Sequence, residues 1–339
     1  MRNIYVRELG RAYASLGIEP LFGAANLFES NFVPEWLHLQ WPEEVYRAQQ
    51  EGSVDARVDR FLDRLDRLLT CGTRLIWTVH NLKPHEVLSA DAEHRAYQGV
   101  IDRAHVVHHH GTDSEELLRS MYRVPDGQAH IVVPHGHYLG YPNSMTREQA
   151  RKLLGIDPSR FVFLHFGQIR GYKGLDLVEG AFRKIDVHGK HLLVAGAVSV
   201  SLSRMARARF YARRSLGRDR TYVLEAIRND DVQRYLQACD VVVLGHTAGL
   251  NSGVAVLGMT FGKPVIGPRL GCIEWTLEQG SNLLYEAGDV RALARAMEAA
   301  TRLDPAEVAA HNRSVAAGWT WKAIASAALA ACPEPVVVR

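Results

Sequence analysis

Apolar runs of strand length alternate with stretches of helical period along most of the chain, and the alternation starts twice. Parallel strands need a crossover after each strand and a helix is the usual crossover, so this pattern confines the chain to the α/β class. In the first half, Trp36-Leu37-His38-Leu39 is predicted as a strand ending at Trp41-Pro42. Residues 74–79 are a second, stopped by His80-Asn81 and Pro84. Val54 to Leu69 between them is predicted as a helix, with Val58, Phe61, Leu62, Leu65 and Leu68 on one stripe. Further strands are predicted at 105–108 and 130–133, with a helix starting near Asp113. The second half restarts with strands at 161–166, 191–195, 240–244 and 264–266. Helices intervene at 174–185, 231–238 and 252–261.

Two Rossmann-like, doubly wound domains facing across a cleft follow from this reading. Residues 1–143 form the first and 159–316 the second. The linker is residues 144–158, with a short polar helix from Thr146 to Leu154, and 317–339 is a C-terminal helix that packs back on the first domain. A doubly wound domain usually opens with a strand. Here residues 3–16 look helical up to Gly17, with Ile18–Phe22 as the strand after them. The first sheet is therefore expected to lack its first strand, and a misplaced start codon would account for that.

A chain of 339 residues with 47% hydrophobic and 23% charged residues has enough apolar surface for two cores. Its formal charge of +3 is too balanced for a general nucleic-acid binder. No apolar run approaches the ~18–20 residues of a membrane span, and the first residues lack signal-peptide character. Cys71, Cys239, Cys272 and Cys332 have no paired spacing, which suits a reduced, cytoplasmic compartment. Sixteen histidines, several clustered at strand ends, are the one compositional outlier.

The strongest chemical signal is Gly167-Gln168-Ile169-Arg170-Gly171-Tyr172-Lys173-Gly174, between a strand and a helix. Such a turn directs backbone N–H groups and a helix N-terminus at an anion, and Arg170 and Lys173 add charge. An ordinary βα loop with two solvated cations is the competing reading. Gly249-Leu250-Asn251-Ser252-Gly253 is a second loop of this kind, in which Asn251 or Ser252 caps the helix and leaves N–H groups for a phosphate. Two such loops at strand carboxyl ends reinforce each other.

His80, Asn81 and Glu86 follow a strand in the first half, as do His108-His109-His110 and His135-Gly136-His137. A histidine there serves as base or holds a hydroxyl, and one in the core serves structure. No third ligand is set by spacing beside His135 and His137, so a metal is not expected. Arg204, Arg207, Arg209, Arg213, Arg214, Arg218 and Arg220 form a basic stretch. It is either a solvated helix face or a contact for anionic lipid or a pyrophosphate-bearing acceptor.

With the Phe261-Gly262-Lys263-Pro264-Val265-Ile266 segment, these motifs resemble GT-B glycosyltransferases over most of the chain. Segments 38–43, 78–86, 135–138, 165–174 and 251–253 are similar to GDP-mannose:glycolipid β-mannosyltransferases of bacterial exopolysaccharide synthesis, within the broader glycosyltransferase family 4-like proteins. The resemblance implies a hexosyltransferase, with mannose among the candidate sugars. A GDP- or UDP-hexose donor would be held by Gly167, Arg170, Lys173, Asn251, Ser252 and Gly253, with Arg228 near the base. His80 and Glu86 are the catalytic candidates, as base or acceptor-positioning groups. Glu43, Asn81, His110, His135 and His137 would line the side of a glycolipid or oligosaccharide acceptor.

No cofactor or metal is required on this reading, because fixed cations and helix dipoles stabilise the departing diphosphate. Peripheral contact with the cytoplasmic membrane face fits a lipid acceptor. The glutamate pair of many retaining relatives falls on Gly249 and Leu257, which argues against the common retaining pattern and, less strongly, for inversion. A second histidine of the subgroup falls on Gln40, which cannot serve as base. The alternatives are a nucleotide-sugar epimerase or phosphorylase of the same fold, a non-catalytic assembly partner, and, weakest, a metal hydrolase.

Overall fold

The computed structural model describes residues 3–84, 86–200, 202–212 and 218–333. His85, Arg213 and Arg214, and the side chain of Arg209, lie outside the described residues. The chain divides into two units, residues 1–136 with 320–339, and residues 137–319.

The first unit has a four-stranded parallel sheet in sequential order: β1 (Trp36–Leu39), β2 (Arg74–Thr78), β3 (Val106–His109) and β4 (Ala129–Val132). Alternation along β2 assigns its two faces. Trp77 meets Tyr97 of α5 (Ala90–Arg103) edge-on at 5.9 Å. Ile76 instead joins Val106, Ala328 and Cys332 in a core under α15 (Trp321–Ala331). Helix α4 (Val54–Thr70) begins at Ser53, whose hydroxyl accepts from Ala56 N–H, and buries Val58, Phe61, Leu65 and Leu68.

The chain enters through α1 (Ile4–Ser15), which packs on α15 through Tyr5, Leu9, Ala12, Trp321 and Ile324. Residues 18–22 do not form the expected strand. Pro20 lacks the N–H a ladder needs, Leu21 is exposed, and the Phe22 ring lies so close to Gly10 of α1 that a Cβ there would stand 2.3 Å from it. The apolar residue expected in a strand is used to cover the helix.

The second unit has a six-stranded parallel sheet in the order β10-β9-β8-β5-β6-β7. Its strands are β5 (Phe161–Phe166), β6 (Lys190–Ala195), β7 (Arg220–Val223), β8 (Val241–Val243), β9 (Val265–Pro268) and β10 (Leu283–Tyr285). The chain winds outward from β5 through β6 and β7, then returns to the other side of β5 and winds outward through β8, β9 and β10. The β5–β8 boundary is therefore a topological switch point, where open sheets leave a crevice at the strand carboxyl ends. Sequence patterning misses β7 and β10, both short edge strands whose residues, apart from Tyr222 and Tyr285, are only partly buried.

Residues 144–158, expected as a linker, are built into the second unit. Helix α7 (Arg147–Leu154) has a capping box between Thr146 and Gln149. Its Arg151 is 1% exposed and donates to the carbonyls of Pro158, Arg160 and Ala238 and, at 2.7 Å, to Asp240. A guanidinium with that many buried acceptors anchors the segment. Among the described residues no helix is long and apolar enough to cross a membrane.

Candidate functional site

The loops after β5 and β8 leave the sheet side by side at the switch point and touch each other. Thr247 N–H donates to the Tyr172 carbonyl at 2.8 Å. A Cβ on Gly174 would lie 1.9 Å from the Gly245 carbonyl oxygen, and Gly174 has φ +60°. Both the close approach and the backbone angle demand glycine there. The first loop is also tied to the chain beyond β6, where Ile169 and Ser199 exchange backbone bonds with Ala197 and Ile169.

This packing gathers cations and N–H groups. The Lys173 ammonium lies 3.2 Å from where a Gly167 Cβ would stand, and Val254 lies 3.5 Å from the same point. Lys173 therefore sits near the first turn of α11 (Gly253–Thr260). Burial, then the positive charge of Arg170, lowers Lys173 to about 8. Ser252 occupies the N-cap position of α11 and makes no side-chain bond to the helix. From Ala255 to Thr260 that helix is buried, so its N-terminus is the end left to meet a ligand. Arg170 is half-buried, and its Nε donates to Gln168 Oε1 at 3.0 Å.

Gly167, Arg170, Lys173, Asn251, Ser252 and Gly253 thus belong to two adjoining loops. Arg228 lies beyond β7, exposed and 3.8 Å from Asp230. His165 and His246 were not singled out from sequence. His165 is buried at the end of β5, its Nδ1 donates to the Val243 carbonyl at 3.2 Å, and Lys173 contributes to lowering its pKa to about 4. His246 is buried with its ring centroid 5.9 Å from that of Tyr172. Their place at strand carboxyl ends was the available signal.

In the first unit, the strand-end histidines converge on Tyr5 of α1. Its ring centroid lies 4.6 Å from His80, 4.9 Å from His135 and 5.6 Å from His110. His80 also stacks on Trp41 at 4.0 Å and 15°, and its Nε2 meets Gln40 Oε1 at 2.8 Å. Deeper, Tyr13, His38, Thr78, His108 and the Val133 carbonyl form a hydrogen-bonded chain. Burial lowers His38 to about 3 and His108 and His135 to about 4, so these rings are neutral at pH 7. Burial does the same to His80 and His110.

Glu43 and Asn81 are buried together: Asn81 Nδ2 donates to Glu43 Oε1 at 3.1 Å, and Tyr97 donates to Glu43 Oε2 at 2.8 Å. Glu86 is exposed, with its carbonyl accepting from Arg47. His137 is assigned to the second unit, where its N–H donates to the Trp319 carbonyl, whereas His135 belongs to the first. Among the described residues no three His, Cys, Asp or Glu side chains are grouped to hold a metal ion.

The chain has the GT-B glycosyltransferase fold. It superposes on sucrose-phosphate synthase from Thermosynechococcus elongatus with a TM-score of 0.72 at 20% identity, covering 96% of this chain and 90% of that one. It superposes on Anabaena HepE in complex with UDP-glucose with a TM-score of 0.67 at 17% identity, covering 81% and 76%.

Residues 160–302 match the model of the family Glycosyl transferases group 1. Over 239 residues the chain is 28% identical to GDP-mannose:glycolipid 4-β-D-mannosyltransferase of Xanthomonas campestris pv. campestris. That match covers 68% of this chain, which spans only 60% of the relative's length.

Proposed function

We propose that the protein transfers a hexose from a nucleotide-sugar to a saccharide or glycolipid acceptor without a metal ion. The observation that carries this reading is the pair of mutually packed loops at the switch point, with Lys173 held beside the start of α11. Glycosyl transfer from a nucleotide-sugar breaks the bond between the anomeric carbon and the diphosphate, so charge grows on the phosphate oxygens. Lys173, Arg170 and the N–H groups of Ser252 and Gly253 are fixed before reaction, and such donors stabilise that charge without reorganising.

The first unit serves the acceptor, with His80 and Glu86 as the groups that orient or deprotonate its hydroxyl. GDP-mannose is the first donor to test, because the mannosyltransferase of Xanthomonas is named for it; UDP-glucose is the second, from the HepE complex. A peripheral contact with a membrane bearing a lipid-linked acceptor accords with the same reading.

The test is to incubate the protein with each donor, with and without a lipid-linked saccharide, in EDTA. Release of nucleoside diphosphate and appearance of sugar on the acceptor are expected only when both substrates are present. Conversion of the donor alone would instead indicate an epimerase. If no nucleotide-sugar raises the melting temperature, the reading fails, because a ligand that binds only the folded state must stabilise it.

A further inference from the structure

Residues 187–218 contain Lys190 and six arginines but no Asp or Glu, in a chain whose formal charge is only +3. The rest of the chain is therefore net negative, and the positive charge is concentrated in this one stretch. None of its cations belongs to the two loops at the switch point. At its centre is α9 (Arg204–Ala212), which starts after Ser203, whose hydroxyl accepts from the Ala206 N–H at 3.2 Å. Phe210 and the preceding Leu202 pack on the core of the second unit.

That packing turns the opposite side of the helix outward. Arg204, Met205, Ala208, Tyr211 and Ala212 are exposed, at positions that share one side of a 3.6-residue turn. Met205 is 77% exposed, and Val200, just before the helix, is 82% exposed. Tyr211 is 43% exposed. A face that meets only water gains nothing from a methionine, a valine and a tyrosine. At the boundary of a bilayer the first two leave water, and the tyrosine ring has an apolar body with a polar tip. Arginine suits the same boundary, because its stem lies along apolar surface while its head stays among charges.

We propose that the outer face of α9, together with Val200, docks on an anionic lipid bilayer. Val200, Met205 and Tyr211 enter the boundary between headgroups and acyl chains, and Arg204 and the half-buried Arg207 meet the lipid phosphates. Charge complementarity selects anionic lipid. The apolar trio selects a bilayer over a nucleic acid, whose backbone offers phosphate without an apolar layer. A second copy of the chain would bring arginines against arginines. The inference rests on the transfer reading only for its purpose, which is to hold the protein where a lipid-linked acceptor lies.

The test is flotation of the full chain with vesicles that carry no saccharide and no nucleotide. Wild type should bind vesicles in which about a third of the lipid is phosphatidylglycerol, should bind phosphatidylcholine vesicles far more weakly, and should release as salt is raised. Arg204→Glu with Arg207→Glu should lower the partition coefficient by about 30-fold or more, since each basic side chain near such a surface contributes about fivefold. Val200→Ser with Met205→Ser should lower it by about 10-fold. Arg302→Glu, at an exposed arginine outside the stretch, should leave it unchanged.

Equal binding to both kinds of vesicle, no binding to the anionic ones, or an Arg302→Glu loss as large as that of the double variant overturns the proposal. So does duplex DNA binding as tight as vesicle binding and untouched by the serine variant, which would mark a general polyanion site. Hydrogen exchange of wild type on the anionic vesicles should slow at residues 202–212; slowing elsewhere without it also overturns the proposal. That arm needs no variant to fold. Neither arm needs turnover, so failure of the transfer reading and failure of this one are separable.

Discussion

Lys173 offers the sharpest test, because its ammonium is held at a cost that a bound diphosphate would reverse. Burial and Arg170 lower it from 10.5 to about 8. At ~1.4 kcal/mol per pH unit this places about 3 kcal/mol against the charged form in the folded state. The sign follows from proton binding. Below pH 8 folded and unfolded chains are both protonated, and the full penalty is present. Between 8 and 10.5 the folded chain gives up its proton first and the penalty fades, so stability rises with pH across that window.

Lys173→Met should therefore make the unliganded protein more stable at pH 7, by up to about 3 kcal/mol, with wild type catching up by pH 10. Urea unfolding at several pH values measures this. A saturating nucleoside diphosphate at ~100 times its Kd should stabilise wild type by about 2.7 kcal/mol and the variant by far less. Calorimetry in buffers of different ionisation enthalpy at pH 8 should show uptake of about half a proton as the diphosphate binds. If Lys173→Met is less stable than wild type at pH 7, or keeps the diphosphate response, the reasoning is refuted.

Three further outcomes are expected. Gly174→Ala puts a methyl 1.9 Å from the Gly245 carbonyl at a positive φ, so the two loops must separate. Nucleotide-induced thermal shifts should vanish and stability fall by about 2 kcal/mol or more; an unchanged shift would argue against the loop pair as the donor site. Arg151→Ala takes the guanidinium from three carbonyls and from Asp240, which keeps Arg147 and the Val162 N–H, and should cost about 3 kcal/mol in urea unfolding, with Asp240→Asn milder because the amide keeps a polar acceptor.

Acid should destabilise the first unit steeply. Burial holds His108 at about 4 and His109 at about 3, against ~6.5 when unfolded. Their contribution is complete above pH 6.5 and is lost as pH falls toward 4, at about 2 kcal/mol each by pH 5. A melting temperature that stays flat between pH 7 and 5 would contradict this.

Both the α/β class and the two loops of the second unit were legible in sequence because their causes are local. A buried parallel strand is a short apolar run, as in Phe161–Phe166, and a close approach of backbones leaves glycines at fixed places, as at Gly167 and Gly174. β7 and β10 escaped because an edge strand is half covered and need not be apolar. Ile18–Phe22 misled for the converse reason: an apolar run says that side chains are covered but not by which element.

Strand order in the second unit was not written in any residue. Only the return of β8 to the flank of β5 brings the Gly167 and Gly249 loops together, since sheet order depends on long-range pairing that no short window encodes. The histidines show the same division. Sequence alone put His80, His110 and His135 at strand ends, and that determined that they would share one end of a parallel sheet. Tertiary structure decided their state: Tyr5 arrives from a helix at the start of the chain, Gln40 and Trp41 arrive from the end of β1, and burial among them makes each ring a neutral acceptor or donor. The reason is physical. A residue's identity sets which protonation states it has, and the solvent and charges around it, which only packing supplies, choose among them.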